Sequence, residues 1–151
     1  MTPHQIALVQ HGMRRLSAHS AFFARNFYAA LFALDPALRP VFHCDLAQQG
    51  VRLVQMLQLA VDGLARFDEL APTLRALGRR HARYGVRPYD FETVGHALMA
   101  ALARQPDAAA DEPARAAWRA AYERLSREIR RGVADGAEPV PSASRSTSPH
   151  W

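Results

Sequence analysis

The amino-acid sequence predicts an all-α domain, and two observations support this prediction. Apolar residues recur with the period of an α-helix through several long stretches of the chain. No stretch combines strict apolar–polar alternation with the paired turn residues of a β-hairpin. We therefore expect a single domain built from about six long helices and one short helix, with no β-sheet.

The first two helices are predicted from their ends and from their apolar faces. Thr2 is expected to cap the first helix, with Pro3 at the first helical position, where a proline needs no N–H partner. The second helix begins at about Ser20 and is rich in aromatic residues. The inward positions of the two helices are Ile6, Val9, Met13, Leu16, Phe23, Phe27, Leu31 and Leu34.

A short helix and then a long one are predicted next. Asp35 should cap a short helix that starts at Pro36 and ends at Phe42. Asp45 should cap the long helix that follows. The apolar stripe of this long helix consists of Leu46, Leu53, Met56, Leu57 and Ala60.

Three further long helices complete the predicted domain. One covers at least residues 72–84 and is closed by Gly85. The next begins at Pro88, and the last runs from about Asp111 to Gly132. The inward residues of these last two helices are Phe91, Val94, Leu98, Met99, Leu102, Trp118, Tyr122, Leu125 and Ile129.

The C-terminal segment differs from the rest in composition. Residues 134–151 are rich in proline, serine and alanine and show almost no apolar periodicity. The whole chain has 151 residues and is 49% apolar, which is enough for one domain with a sizeable core. We predict a globular domain at residues 1–133 and a disordered tail at residues 134–151.

Composition also bears on location and partners. No apolar stretch reaches the roughly 18 residues of a membrane span, and the N-terminus lacks the pattern of a signal peptide. A single cysteine, Cys44, excludes an internal disulfide and fits a reducing compartment. All 19 basic residues are arginines, but they are dispersed and match no groove-reading motif. We expect a cytoplasmic protein that binds neither a membrane nor a nucleic acid.

Three polar residues interrupt the apolar pattern at positions predicted to face inward. Tyr28 lies beside Phe27, and Gln49 lies one turn before Leu53. A core tyrosine bonded to a backbone carbonyl, or a glutamine that stays wet at the edge of the stripe, would give the same pattern. These two residues therefore have a structural explanation and a functional one.

The third polar residue is His81. Leu74, Leu77 and His81 follow the spacing i, i+3, i+7, so the histidine continues an apolar face. A satisfied core histidine would explain this spacing, and a ligand role is the alternative. The sequence contains no close-spaced histidine pair of the zinc type, no glycine-rich phosphate loop and no nucleophile elbow.

Four segments also carry a family resemblance, and in chain order they are "FYAALFALDPALRPVF", "QGVRLVQML", "LGRRHARYGVRPYDFETVGHALMAAL" and "RAAWRAAYERLSREI". They are similar, in turn, to the second-helix-to-corner segment, the distal helix, the proximal helix with its following helix, and the last helix of a globin. The chain therefore resembles a single-domain bacterial globin, similar to the globin module of flavohaemoglobins. The resemblance covers roughly residues 2–133.

The resemblance implies a haem b group (iron protoporphyrin IX) with His81 as the iron ligand. The other ring nitrogen of His81 is then expected to donate to a backbone carbonyl near Leu77. Phe42 would pack flat on the haem. Arg80 would pair with a haem propionate, although a simple surface arginine is the alternative.

The resemblance also assigns the opposite face of the haem, where gas binds. Tyr28 and Gln49 would donate hydrogen bonds to dioxygen, carbon monoxide or nitric oxide. Leu53 would restrict this pocket. Other residues expected along the edges of the haem are Leu77, Val86, Phe91 and Val94.

Two positions depart from the family pattern. Similar globins carry a tyrosine ten residues after the ligand histidine and a glutamate late in the last helix. This chain has Phe91 at the first position, and the second falls near Val133, with Glu128 nearby but out of register. We therefore expect weaker polarisation of His81 and do not expect high peroxidase-like or dioxygenase turnover.

The leading functional hypothesis is reversible dioxygen binding without catalytic residues, by a monomer or homodimer. Alternatives are nitric oxide dioxygenation, which would require an external reductase, and gas or redox sensing. A haem-free all-α interaction domain is a further alternative. The sequence leaves open whether the protein is an enzyme.

Overall fold

The computed structural model describes residues 1–42, 45–87, 89–105, 109 and 111–136. Within these ranges the regular structure is helical and contains no strand, so the predicted all-α class is confirmed. Two short 3-10 helices cover Pro36–Val41 and Leu64–Arg66. The six α-helices are α1 (Pro3–Ser17), α2 (Ser20–Leu34), α3 (Leu46–Gly63), α4 (Phe67–Arg83), α5 (Asp90–Arg104) and α6 (Glu112–Gly136).

The predicted helix caps are present. Thr2 and Gln5 form a reciprocal capping box, with each side chain accepting a hydrogen bond from the backbone N–H of the other residue at 3.0–3.1 Å. Asp35 and Asp45 each accept a hydrogen bond from the backbone N–H two residues ahead. Gly85 follows α4 with φ of 86°, a conformation that favours glycine. The local chemistry of the sequence therefore fixes where these helices begin and end.

Two helices extend beyond the stretches predicted for them, although for α4 residues 72–84 were predicted only as a minimum. Helix α4 begins at Phe67, so Pro72 lies inside the helix and leaves one carbonyl of the first turns without its N–H donor. The burial of Leu70 and Ala71 beside it offsets this loss. Helix α6 continues to Gly136, past the predicted helix end at Gly132, because its last turns pack against α4.

Some predictions fall on residues outside the described ranges. The start of the sixth helical stretch at Pro88, the environment of Cys44 and residues 137–151 of the predicted tail are in this group. None of the described helices is long and apolar enough to cross a membrane.

Most of the predicted inward residues pack in one core, which includes Phe23, Phe27 and Trp118. Leu34 is an exception and is 55% exposed, because it is the last residue of α2 and the chain turns away at Asp35. The predicted stripe of α3 is half-buried instead of buried. This stripe faces a cavity, as described below.

The packing of the helices leaves that cavity open. Helices α4 and α6 form the most extensive contact, followed by α2 and α5, whereas α3 and α4 touch each other only slightly. The gap between α3 and α4 is therefore lined by side chains of both helices and closed behind by α5 and α6.

Candidate functional site

His81 lies in the last turn of α4 and is only 3% exposed. Its ring atom Nδ1 is 2.7 Å from the backbone carbonyl oxygen of Leu77, one turn earlier. Because a carbonyl can only accept, Nδ1 donates this hydrogen bond, and a neutral imidazole then carries its lone pair on Nε2. The contact predicted for His81 is thus present, and the ring is held in the tautomer that a metal ligand requires.

The cavity beside His81 has a volume of about 430 Å³. Its wall is formed mainly by apolar side chains from α3, α4, α5 and α6, together with Phe27 of α2. A volume of a few hundred cubic ångströms with apolar walls and few polar groups is typical of sites for organic cofactors. Six of the predicted site residues line this cavity, namely Leu53, Leu77, Arg80, His81, Phe91 and Val94.

Tyr28 is almost completely buried on α2, inside a cluster of aromatic rings. Its ring meets Phe27 and Phe42 edge-on, with centroids 5.2 and 5.5 Å apart, and is stacked on Phe32 at 6.0 Å. Among the described residues its buried hydroxyl has no hydrogen-bond partner, so the alternative of a tyrosine bonded to a backbone carbonyl is not observed. Burial raises the pKa of this hydroxyl above its usual value.

Tyr28 does not line the cavity that contains His81. It lies on the wall of a second cavity of about 580 Å³, between α2, α3 and the first 3-10 helix. Tyr28, the predicted hydrogen-bond donor to a gas, therefore lines the second cavity and not the cavity beside His81.

Gln49 is 1% exposed, in the first turn of α3. The alternative of a glutamine that remains wet at the edge of the stripe is therefore wrong. The next residue, Gly50, allows α3 to cross α2 closely, since a Cβ there would lie 2.8 Å from the Ala24 side chain and 3.9 Å from Tyr28. Gln49 and Tyr28 are thus both buried, and Tyr28 lies beside Gly50 at this crossing, although neither lines the cavity beside His81.

Phe42 contacts both the aromatic cluster around Tyr28 and the apolar cluster beside His81. It packs edge-on against the Tyr28 ring and also against a small cluster that contains Val86 and Phe91. The Phe91 ring centroid is in turn 6.4 Å from that of His81. Phe42 and Val86 do not line the cavity, but they join Tyr28 to His81 through a continuous series of contacts.

Among the polar side chains of α6, Glu128 and Tyr122 form hydrogen bonds to α4 and α5. Glu128 is buried and accepts hydrogen bonds from Arg75 at 2.9 Å and Arg131 at 2.8 Å, so both carboxylate oxygens are engaged by arginines. Tyr122 donates its hydroxyl to the backbone carbonyl of Phe91 at 2.6 Å, and burial raises its pKa. Sequence reasoning placed Tyr122 only in the core, although it lines the cavity.

Further lining residues were predicted only as part of the apolar stripe of α3. Met56, Leu57 and Ala60 line the cavity next to Leu53. The signal that could have identified them is their position on the same helix face as Leu53, because residues three or four apart on a helix share one wall.

Comparison with known proteins agrees with this geometry. The family model described as Globin matches residues 25–129, which is more than half of the chain. The chain belongs to the globin family. The resemblance found in the four sequence segments is thus confirmed, and membership in this family implies haem binding.

Similar curated proteins are flavohemoproteins. The flavohemoprotein of Deinococcus radiodurans is 28% identical over 99% of this chain, and that of Vibrio cholerae is 24% identical over 81%. The flavohemoprotein of Bordetella bronchiseptica is 29% identical over 83% of the chain. The globin spans 38%, 32% and 32% of the lengths of these three relatives.

The residues of the cavity fit a haem group. One buried histidine is held in the correct tautomer at the wall of an apolar cavity, and few charged groups line that wall. The buried hydroxyl of Tyr28 lacks a partner among the described residues, as expected for a donor that meets a ligand instead of the protein.

Proposed function

We propose that this globin binds haem b through His81 and takes up a diatomic gas, with dioxygen as the leading candidate. The observation that supports this most strongly is the environment of His81. The ring is buried at the wall of the apolar cavity, and its Nδ1 donates to the carbonyl oxygen of Leu77. A histidine fixed in this way presents a neutral imidazole to iron without any change of rotamer.

The wall of the cavity would serve haem binding in two ways. Leu53, Leu77 and Val94 would pack against a bound haem and exclude water from it, and buried apolar surface contributes about 25 cal/mol per Å². Arg80 is exposed and lies at the edge of the cavity beside His81, where it can pair with a propionate. An exposed pair of this kind contributes at most about 1 kcal/mol.

Haem, when bound, would supply an iron that can hold a diatomic gas. Tyr28 is the proposed donor to a gas molecule held there. Leaving a buried hydroxyl without a partner costs about 1–3 kcal/mol, so a small movement of Tyr28 towards a polar ligand is favourable. Since burial raises its pKa, the hydroxyl keeps its proton at physiological pH.

Gln49 is proposed as the second donor. It is buried on α3 next to Gly50, which lies close to the Tyr28 ring, and its side-chain amide can donate hydrogen bonds. Tyrosine and glutamine together can offer two hydrogen bonds to one small ligand in an apolar setting.

Replacement of His81 by alanine tests this proposal directly. We expect the His81→Ala variant to fold but to purify with little haem, because the cavity then retains only apolar contacts. His96→Ala is the matched control, since His96 is an exposed histidine on α5. Haem content is measured from the Soret absorbance relative to protein concentration. Equal haem content in wild type and His81→Ala would contradict the assignment.

A second candidate function is nitric oxide dioxygenation. The similarity to flavohemoproteins favours it, because their name denotes a flavin together with a haem, and this chain spans only about a third of their length. Turnover would then require an electron donor. Continuous nitrate formation from nitric oxide in the presence of a purified flavin reductase supports this function, and a single turnover excludes it for that donor.

A further inference from the structure

Helices α4 and α6 cross at a pair of glycines, with their backbones in contact. A Cβ on Gly78 would lie 1.9 Å from the carbonyl oxygen of Ile129, and a Cβ on Gly132 would lie 1.9 Å from the carbonyl oxygen of Arg75. Gly85 is the glycine with positive φ in the part of the chain that the structure describes, so Gly78 and Gly132 are required for space and not for conformation. At each glycine, the missing side chain leaves room for the backbone of the opposite helix to pack closely.

A buried carboxylate holds the same crossing together. Glu128 is 7% exposed and accepts from Arg75 of α4 and from Arg131 of its own helix. A carboxylate held between two guanidinium groups is well satisfied, and removal of its charge would weaken the bond from Arg75 across the helix pair. The glycines and this ion pair therefore fix the distance between α4 and α6.

This distance determines where His81 lies. Gly78 precedes His81 by three residues, so the two share one face of α4. The bond from Nδ1 to Leu77 fixes the ring to the helix. Any movement of α4 away from α6 is therefore transmitted to the imidazole without an intervening flexible joint.

Helix α6 also holds the start of α5, which contacts the His81 ring through Phe91. Tyr122 of α6 donates to the carbonyl of Phe91 at 2.6 Å, and Gly95 makes room for the Tyr122 ring, since a Cβ there would lie 2.7 Å from it. Phe91 in turn contacts His81. Helix α6 thus sets the positions of both elements that hold the imidazole, namely α4 and the start of α5.

We propose that Gly78 and Gly132 are positioning residues for His81, the proposed iron ligand. Their close crossing, secured by Glu128, sets the depth and tilt with which His81 enters the cavity. The inference rests on the proposed role of His81 as the iron ligand. It implies that the strength of the iron–histidine bond in this globin is controlled by backbone packing against α6.

Gly78→Ala is the principal test. A real Cβ essentially never approaches another heavy atom within 3.0 Å, so α4 must move by at least about 1 Å in this variant. Gly136→Ala is the matched control, because it lies at the same helix pair but its Cβ would meet its nearest neighbour at 3.1 Å. Both variants change one glycine to alanine at one interface.

The readout is the iron–histidine stretching frequency, measured by resonance Raman spectroscopy on the reduced protein, together with the rate of carbon monoxide rebinding after a light flash. We expect Gly78→Ala to shift the frequency and to change the rate about tenfold, since a misplacement of about 1 Å can have effects of up to about a hundredfold. Gly136→Ala should match wild type in both measurements.

The double variant Gly78→Ala/Gly132→Ala distinguishes a shared crossing from two separate effects. Because either alanine alone separates the helices, the double variant should shift the frequency much less than the sum of the single shifts. Additive shifts, or a wild-type frequency in Gly78→Ala with haem retained, would overturn the proposal.

A milder variant keeps the proposal testable if the alanine variants do not fold. Glu128→Gln preserves volume but removes the charge that holds Arg75, and it should shift the frequency in the same direction by a smaller amount. An unchanged frequency in a haem-loaded Glu128→Gln protein would refute the positioning role. Wild-type protein that takes up no haem would instead refute the proposed function itself.

Discussion

The two sides of the candidate haem site are built differently. On the α4–α6 side, His81 is hydrogen-bonded by Leu77 and already lies at the wall of the cavity. On the α2–α3 side, Tyr28 is buried beside a different cavity with its hydroxyl unsatisfied among the described residues. The protein alone therefore holds His81 in place on the first side. On the second side, we infer that the Tyr28 hydroxyl finds its hydrogen-bond partner only when a gas molecule is bound.

The largest expected effect is on dioxygen dissociation, and it follows from replacing Tyr28, whose hydroxyl has no hydrogen-bond partner among the described residues. Tyr28→Phe removes a donor that contributes about 1–3 kcal/mol, so we expect dioxygen to dissociate roughly 10 to 100 times faster. Haem content should not change, because the α4–α6 side is untouched. Dissociation is measured by stopped-flow displacement with carbon monoxide.

The matched control for Tyr28→Phe is Tyr89→Phe, which removes a hydroxyl from a tyrosine that is 55% exposed. Wild-type dissociation in Tyr28→Phe would mean that the gas side does not use this hydroxyl. The contrast between the two sides would then have no functional meaning.

A smaller effect is expected in alkaline solution. Burial raises the pKa of Tyr28 from its ordinary value of 10.0, so the folded protein keeps this proton to higher pH than the unfolded chain does. Unfolding above pH 10 therefore releases a proton, and the free energy of unfolding falls as pH rises. Urea unfolding at pH 8 and pH 11 should show a smaller decrease for Tyr28→Phe than for wild type.

Tyr122 offers a comparison from the other side of the site. Burial also raises its pKa, but its hydroxyl has a partner in the Phe91 carbonyl. Tyr122→Phe should likewise reduce the alkaline loss of stability, although at pH 8 it removes a good hydrogen bond. An alkaline decrease that is identical in wild type and both variants would show that these hydroxyls do not control it.

The smallest effect is expected at the edge of the cavity. Arg80→Ala removes an exposed guanidinium, and an exposed ion pair contributes at most about 1 kcal/mol. We expect the rate of haem loss to an apomyoglobin acceptor to rise by less than about fivefold. A much larger increase would mean that Arg80 is a principal haem anchor and that the apolar wall has the lesser role.

Much of the fold could be predicted from the sequence, because helix period and capping are local properties. The caps at Thr2, Asp35 and Asp45 all involve residues within one turn of each other, so their prediction needed no knowledge of how the helices pack. The hydrogen bond between His81 and Leu77 was expected from the resemblance to globins, and it is also present. The ends of α4 and α6 were less predictable, since packing between the two helices extends them.

The features that sequence reasoning missed depend on which helices meet. Gly78 and Gly132 are far apart in the chain, and a glycine within a helical pattern does not indicate its partner. The periodicity of α2 and α3 showed that Tyr28 and Gln49 face inward, but it could not show on which side of the crossing each side chain lies. That distinction depends on the angle between the helices.

The most direct test of the account is the visible absorption spectrum of the purified protein, expressed with a supply of haem. It is recorded as isolated, after reduction, and after reduction with added carbon monoxide. We predict a strong Soret band that shifts sharply on carbon monoxide in wild type and His96→Ala, and that is largely lost in His81→Ala. A colourless wild-type protein that also fails to take up added haem would contradict it.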